Sequence, residues 1–420
     1  MTTPNGNIIF NANEGSDTQA SGLGPRNAVY GSTATINSTS STVTGIDTTG
    51  VRAGDLLWVQ SSTGRQFNVI QSVLNQTSVA CDNNFDVAES GRTWAIGGKR
   101  ATLDNSDSRR LIGHLNVSDL PSEAWVELET DQTFTSSVFG RGSRRIKSRD
   151  GARYTILFDF SSTTKTPCMS GGGYFSSILF APSDKDLIFG QASTSGYAAS
   201  NLSVCLDCHF VDFSAFGAGF SRLFQIEFYR CILEDVYVRS SDYGFTANDI
   251  NGGNSIVRSY GSYFKNCGTI SDPRSELYQS VFTGNGMIPL SRVGPPRLDG
   301  CVVHNYTSVV EATQNLHLNT AYQVNYTDAY FSNNLFHTIS SDIINMSSSS
   351  LEFYRMEVRN NFYYNVNNFC NVSGVEQVVA YQNRTLSSDP LIDAANGDLN
   401  INATAGGGAT LRSANYTLGG

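Results

Sequence analysis

The chain has 420 residues, a formal net charge of −9, and 25 Asp and 36 Asn against only 12 Glu and 5 Lys. Exposed helices are built from residues such as Glu, Lys, Gln and Ala, which lose little rotamer freedom there, so this composition excludes an all-α or α/β chain and predicts an all-β one. Hydrophobics at 40% and aromatics at 11% exclude disorder, no apolar run approaches the roughly 18 residues of a membrane helix, and the acidic balance argues against general nucleic-acid binding.

Residues 1–35 read as an extended N-terminal arm, with Ile8, Ile9 and Phe10 as its main apolar positions. Met1 to Gly15 holds neither a basic nor an apolar leader segment, so no export is expected. Residues 36–100 read as a small β subdomain. Val51 to Val59 reads as a turn followed by a strand, strands follow at 67–74 and 77–81, and Trp94-Ala95-Ile96 closes the block.

From about 101 to 395 the pattern becomes a repeat. Seven short segments align by residue type, beginning at Cys208, Cys231, Ser262, Ser280, Cys301, Asn334 and Asn361. Their third positions are Phe210, Leu233, Phe264, Phe282, Val303, Phe336 and Tyr363, all large and apolar. Their first positions are small or able to hydrogen-bond. Their fifth positions are turn residues: Asp212, Asp235, Asn266, Gly284, Asn305, Thr338 and Asn365. Like residues stack on like when successive coils pair as parallel strands about 4.8 Å apart, and no coil buries its apolar side alone. The pattern therefore predicts a parallel β-helix, with an ordinary β-sandwich as the alternative. Residues 396–420 read as a Gly-rich tail.

Asp389-Pro390-Leu391-Ile392-Asp393-Ala394-Ala395-Asn396-Gly397-Asp398-Leu399 resembles the ending of right-handed parallel β-helix repeat proteins in the pectate-lyase-like superfamily. That resemblance implies an all-β, right-handed parallel β-helix, a solenoid preceded by the arm and the small β subdomain. Those proteins continue with a Gly-Ser-Pro-Ala-Ile-Asp segment, whereas Ala405 to Gly420 is different and Gly-rich. The departure withholds the family's lyase or hydrolase activity. The stretch from Gly22-Leu23-Gly24-Pro25 to Trp94-Ala95-Ile96-Gly97-Gly98 is similar to the leading region of β-helical proteins from tailed phages. It implies a virion structural protein, a cement or decoration protein on the capsid exterior. By the same resemblance its partners are its own copies, as a homotrimer, and the major capsid protein or other virion proteins. The alternatives are a tail fibre or tailspike that binds or cleaves host surface glycan, and a free polysaccharide lyase or hydrolase.

Candidate chemistry is sparse. Asp212 and Asp235 share the fifth column and so lie one coil apart, as an acid pair would; the same column is also what a turn requires. Glu227, Glu234 and Asp242 are further acids nearby. Cys205-Leu206-Asp207-Cys208-His209 matches a haem-attachment spacing, but Cys208 falls in the small-residue column, and the eight cysteines of the chain read mostly as buried free thiols. No cofactor or metal is expected. His304 and His337 share the fourth column with Glu234 and Lys265, which reads as solvent-facing. Arg141, Arg144, Arg145, Lys147 and Arg149 form the one basic cluster, expected on an exposed loop or edge strand. It reads either as a docking patch for an acidic surface or anionic glycan, or as charges that block edge-to-edge pairing. Tyr237 to Phe245 is an aromatic-rich loop suited to sugar stacking.

Overall fold

The computed structural model describes residues 7–25, 27–101, 125–134, 144–159, 166–167, 173–183, 187–189, 201–213, 215–216, 224–236, 256–267, 274–284, 297–307, 309–311, 329–345, 353–371 and 375–416. The chain divides into two compact units, Met1–Asp184 and Lys185–Gly420.

The first unit contains a closed antiparallel barrel made of Val29–Ile36, Thr42–Thr44, Ser78–Cys81, Gly64–Asn75, Leu56–Ser61 and Glu89–Ile96. Alternating apolar residues fill it, among them Leu57, Val59, Ile70, Val79 and Trp94. The N-terminal segment is tied to the barrel's exit. Ser21 donates its N–H to Gly97 O at 2.8 Å, and Gly98 donates to Pro25 O at 3.1 Å. Gly97 sits at φ +79°, and a Cβ there would come within 2.5 Å of Pro25 O, so only glycine fits this crossing. Ile8–Phe10 then pairs in parallel with Val126–Leu128, which pairs with Arg144–Ser148, which pairs with Gly173–Ser176. A second parallel set runs Gln132–Phe134, Tyr154–Phe158, Ile178–Pro182.

Most of the described strands of the second unit belong to two long parallel sheets. One runs Asn201–Leu206, Phe224–Tyr229, Ile256–Tyr260, Arg274–Tyr278, Arg297–Asp299, Ala329–Ser332, Phe353–Arg359, Val375–Tyr381. The other runs His209–Val211, Ile232–Glu234, Tyr263–Lys265, Val281–Thr283, Val302–Tyr306, Leu335–Asn345, Phe362–Asn371, Arg384–Thr385. Along the chain the strands alternate between the sheets. The sequence columns are the registers of the second sheet: Phe210 pairs with Leu233, Leu233 with Phe264, Phe264 with Phe282, Phe282 with Val303, Val303 with Phe336, and Phe336 with Tyr363. A sandwich of antiparallel strands would not place every segment in parallel register with the next. The architecture is all-β, with long parallel sheets of the kind a β-helix contains.

The corners explain why these residues form this structure. The fifth-column residues Asp212, Asp235, Asn266, Asn305, Thr338 and Asn365 all lie at left-handed φ, from 50° to 61°. Asp and Asn tolerate that region better than other side chains do. A second left-handed column lies one residue before each aligned segment, at Asp207, Arg230, Gly261, Gln279, Gly300, Asn333 and Asn360, and continues at Gln382 before Asn383. It turns the chain from the first sheet into the second. The inner sides of the two sheets meet in a continuous core. Phe228 of the first packs edge-on against Phe210 and Phe264 of the second, with centroids 5.8 and 6.2 Å apart. Phe264 stacks on Phe282 at 4.5 Å.

The first-column residues are buried just inside the corner and form a polar ladder. Asn334 Nδ2 donates to Asn361 Oδ1 at 2.9 Å and to Leu298 O at 3.1 Å. Asn361 Nδ2 donates to Asn383 Oδ1 at 3.1 Å and to Phe331 O at 2.8 Å. Ser262 Oγ and Ser280 Oγ accept the N–H groups of Cys231 and Ser262. Each polar side chain thus satisfies main-chain groups that the corner takes out of the sheet ladder.

After Thr385 the chain turns onto the outer side of the second sheet. Leu391–Asp393 and Asp398–Ile401 make a small antiparallel pair, followed by a short helix at Gly408–Ser413. Leu386, Leu391, Leu411 and Tyr416 cover Val302, Leu335 and Phe362. The Tyr416 hydroxyl donates to Cys301 O at 3.1 Å.

Candidate functional site

Asp212 and Asp235 occupy the turn position that their column implied. Their main-chain N–H groups donate to Glu234 O and Lys265 O, each at 3.0 Å, which fixes both residues in the corner. Glu234, the neighbouring acid, is held by Lys265, whose ammonium keeps its carboxyl below the usual range. Glu227 is paired with Arg258 at 2.9 Å. Asp242 and the loop Tyr237 to Phe245 lie outside the described residues.

The thiols of Cys205 and Cys208 are buried and free, as are those of Cys81, Cys231, Cys267 and Cys301. Burial pushes the Cys267 and Cys301 thiols up to about 12, so they stay protonated and unreactive at neutral pH. Cys168 and the side chain of Cys370 lie outside the described residues.

The strand that carries Arg144, Arg145 and Lys147 is not an edge strand. Arg144–Ser148 is paired on both sides, by Val126–Leu128 and by Gly173–Ser176. Compensating acids stand on one side of it, Glu127 within Val126–Leu128 and Glu129 just after that strand. Lys147 Nζ lies 3.0 Å from Glu127, and Arg149 bonds to Glu129, which also binds Lys99 at 2.6 Å. Arg145 lies over the rings of Trp125 and Tyr174 at 5.9 and 5.3 Å. Arg141 and the side chain of Arg144 lie outside the described residues.

A related ladder runs along the outer side of the second unit's first sheet. Arg258 bridges Glu227 and Glu276, at 2.9 and 2.8 Å. Tyr229, Tyr260 and Tyr278 stack face to face at 4.8 and 5.1 Å. Arg297 lies 5.5 Å from the ring centres of both Tyr278 and Tyr330. These rings present faces to one another along the ladder, which leaves mostly edges outward. A sugar stacks on a ring face, so this row is a poor glycan platform.

A further set of titratable side chains lies where the C-terminal segment crosses the second sheet. Val302–Tyr306, Leu335–Asn345 and Phe362–Asn371 place His304, His337 and Tyr364 in one register row. His304 Nδ1 lies 2.9 Å from His337 Nδ1, and His337 Nε2 lies 3.0 Å from Asp389 Oδ1. Thr338 Oγ1 adds a third contact, 3.0 Å from His337 Nδ1. Asp389 also accepts the Leu391 N–H at 2.8 Å, so the carboxylate is positioned by its own turn. The expectation that this column faces solvent fails at His337, which is only 3% exposed. The covering segment, not the strand alternation, decides its burial. Burial and the neighbouring His337 hold the His304 pKa below the ordinary value, against opposing help from the Ala394 main chain and Asp389.

This arrangement resembles an acid–histidine dyad but leaves it no base to offer. A general base needs a ring nitrogen aimed at a substrate proton. Both nitrogens of His337 face protein atoms, one toward Asp389 and one toward His304 and Thr338. The row is therefore arranged to hold the segment in place. Sequence reasoning found both histidines but missed Asp389, although it begins the motif that carried the family resemblance.

No protein-family model and no curated protein matches the chain.

Proposed function

We propose that the chain is a structural protein of a tailed-phage particle, a cement or decoration protein on the capsid exterior that works as a homotrimer. In this reading the two parallel sheets of the second unit are walls of one right-handed parallel β-helix. The observation that carries the reading is the use of polar chemistry in the described coils. The amides of Asn334 and Asn361, the carboxylates of Glu227, Glu234 and Glu276, Arg258, and the rings of His304 and His337 are bonded to a neighbouring coil or to the crossing C-terminal segment, as a rigid surface element requires. The acid pair expected of a glycosidase sits in left-handed corners. Association with copies and with capsid protein is part of the same proposal.

The test is a cryo-EM map of the source particle. Density for three copies over the capsid lattice is the expected result. Density at the tail tip, or depolymerisation of host glycan that Asp212→Asn or Asp235→Asn abolishes, overturns the reading in favour of a tailspike.

A further inference from the structure

The row His304, His337 and Asp389 does more than fasten the C-terminal segment, because its central contact depends on proton count. Two imidazole nitrogens 2.9 Å apart attract only if one carries a proton and the other a lone pair. His337 Nε2 faces a carboxylate acceptor and so carries its proton. With the pair neutral, or holding one extra proton between its rings, an N–H···N bond is available. With both rings fully protonated, N–H meets N–H and two cations stand with ring centres 4.8 Å apart. Among the described residues Asp389 is the carboxylate bonded to the pair, and the Leu391 N–H already shares it.

We propose that this histidine pair is an acid-sensitive latch that holds residues 386–416 on the second sheet at neutral pH and loosens that segment on acidification. Loosening uncovers the apolar strip Val302, Leu335 and Phe362, which Leu386, Leu391, Leu411 and Tyr416 cover. The latch stands on local geometry and does not depend on the proposed virion role.

The charged surroundings of the latch come from both layers. On the sheet, the same row continues back through Thr283 to Lys265, which Glu234 neutralises, and forward to Tyr364, whose ring lies 5.0 Å from His337. On the crossing segment are Asp389, Asp393 bonded to Asn396, Arg412 bonded to Ile401 O, and the buried Tyr416. Of these side-chain types, histidine alone ordinarily changes charge between pH 5 and 8. The sign follows from the depressed His304 value. The open segment binds the second proton more readily than the latched one. Latching is therefore fully present above the ordinary histidine value of 6.5 and is lost as pH falls through the lower, latched value.

Hydrogen exchange of the full chain, read by mass spectrometry between about pH 7.5 and about pH 5 and corrected for intrinsic rates, tests this. The expected result is that protection of 386–416 holds down to about pH 6.5 and falls below it, by at most about tenfold per pH unit, while 256–267 and 274–284 stay protected. His304→Gln removes the second charge site and is expected to abolish the dependence. Equal protection at both ends of the window overturns the proposal, as does an unchanged pH dependence in His304→Gln. Should that variant not fold, exchange of the histidine C2 hydrogens in the unmodified protein decides. Titration of His304 below 6.5 in step with opening of 386–416 supports the latch, and titration without opening overturns it.

Discussion

Single residues at the corners carry a conformational cost that the rest of each coil must offset. Arg230 and Gln279 are at φ 51° and 49°, in a column otherwise filled by Asp, Asn, Gly and one further Gln, Gln382. A β-carbon costs about 1 kcal/mol or somewhat more in the left-handed region, and Gly removes that strain. Its neighbours in the column are Gly261 and Gly300, both at positive φ. Gln279→Gly is therefore expected to stabilise the second unit by roughly 0.5–1 kcal/mol, and Gln279→Val to destabilise it by about 1–2 kcal/mol, read as opposite shifts in the denaturation midpoint. The fifth column was legible in the sequence because its residue types advertise a turn. This preceding column was not, because Arg230 and Gln279 conceal a position that Asp207, Gly261, Gly300, Asn333 and Asn360 otherwise mark.

Elements in this protein are stabilised by what crosses between them. The strands of the second sheet are mostly short, and a three-residue strand such as Tyr263–Lys265 has no stability of its own. Its apolar residue stacks on the next coil, and the ladder inside the corner ties the coils together. Asn361 is the fullest example, because it accepts from Asn334 and donates to Asn383 and Phe331 O. Asn361→Ala leaves buried donors and acceptors unmatched on two neighbouring coils. The expected loss is about 2–4 kcal/mol in chemical denaturation. Ser262→Ala, which loses the acceptor for the Cys231 N–H, should cost less, about 1–2 kcal/mol. Register was readable here because parallel stacking places like on like. Pairings between different residue types were not. Lys147 with Glu127 and Arg149 with Glu129 turn part of an apparent basic patch into ion pairs, and each acid lies some twenty residues earlier. His337 and Asp389 are likewise separated by 52 positions, beyond any local pattern.

At the scale of the whole second unit, a stack of quasi-equivalent coils behaves differently from a globular core. Each coil contacts mainly its neighbours, so stability is close to a sum of coil and interface contributions. Removing one coil in register should then leave a shorter molecule that still folds. Ser262 and Ser280 open consecutive segments 18 residues apart, as seen in the pairing of Tyr263 with Val281 and Phe264 with Phe282. Deletion of residues 262–279 joins Gly261 to Ser280, which preserves a left-handed Gly before a buried Ser and an apolar third position. Phe282 then meets Leu233, apolar on apolar, while Leu298 meets the buried Ser259 and Arg297 meets Arg258. The deletion loses the Tyr278 platform for Arg297 and the Glu276 partner of Arg258. It is therefore expected to fold with a lower unfolding temperature and an unchanged β-sheet circular dichroism per residue. Deleting 262–270 instead removes half a coil. It sends the following strand into the wrong sheet and turns every side chain downstream out of phase, so this variant should not fold cooperatively. Equal behaviour of the two deletions would mean that the coils are not interchangeable units and that the repeat is one of sequence alone.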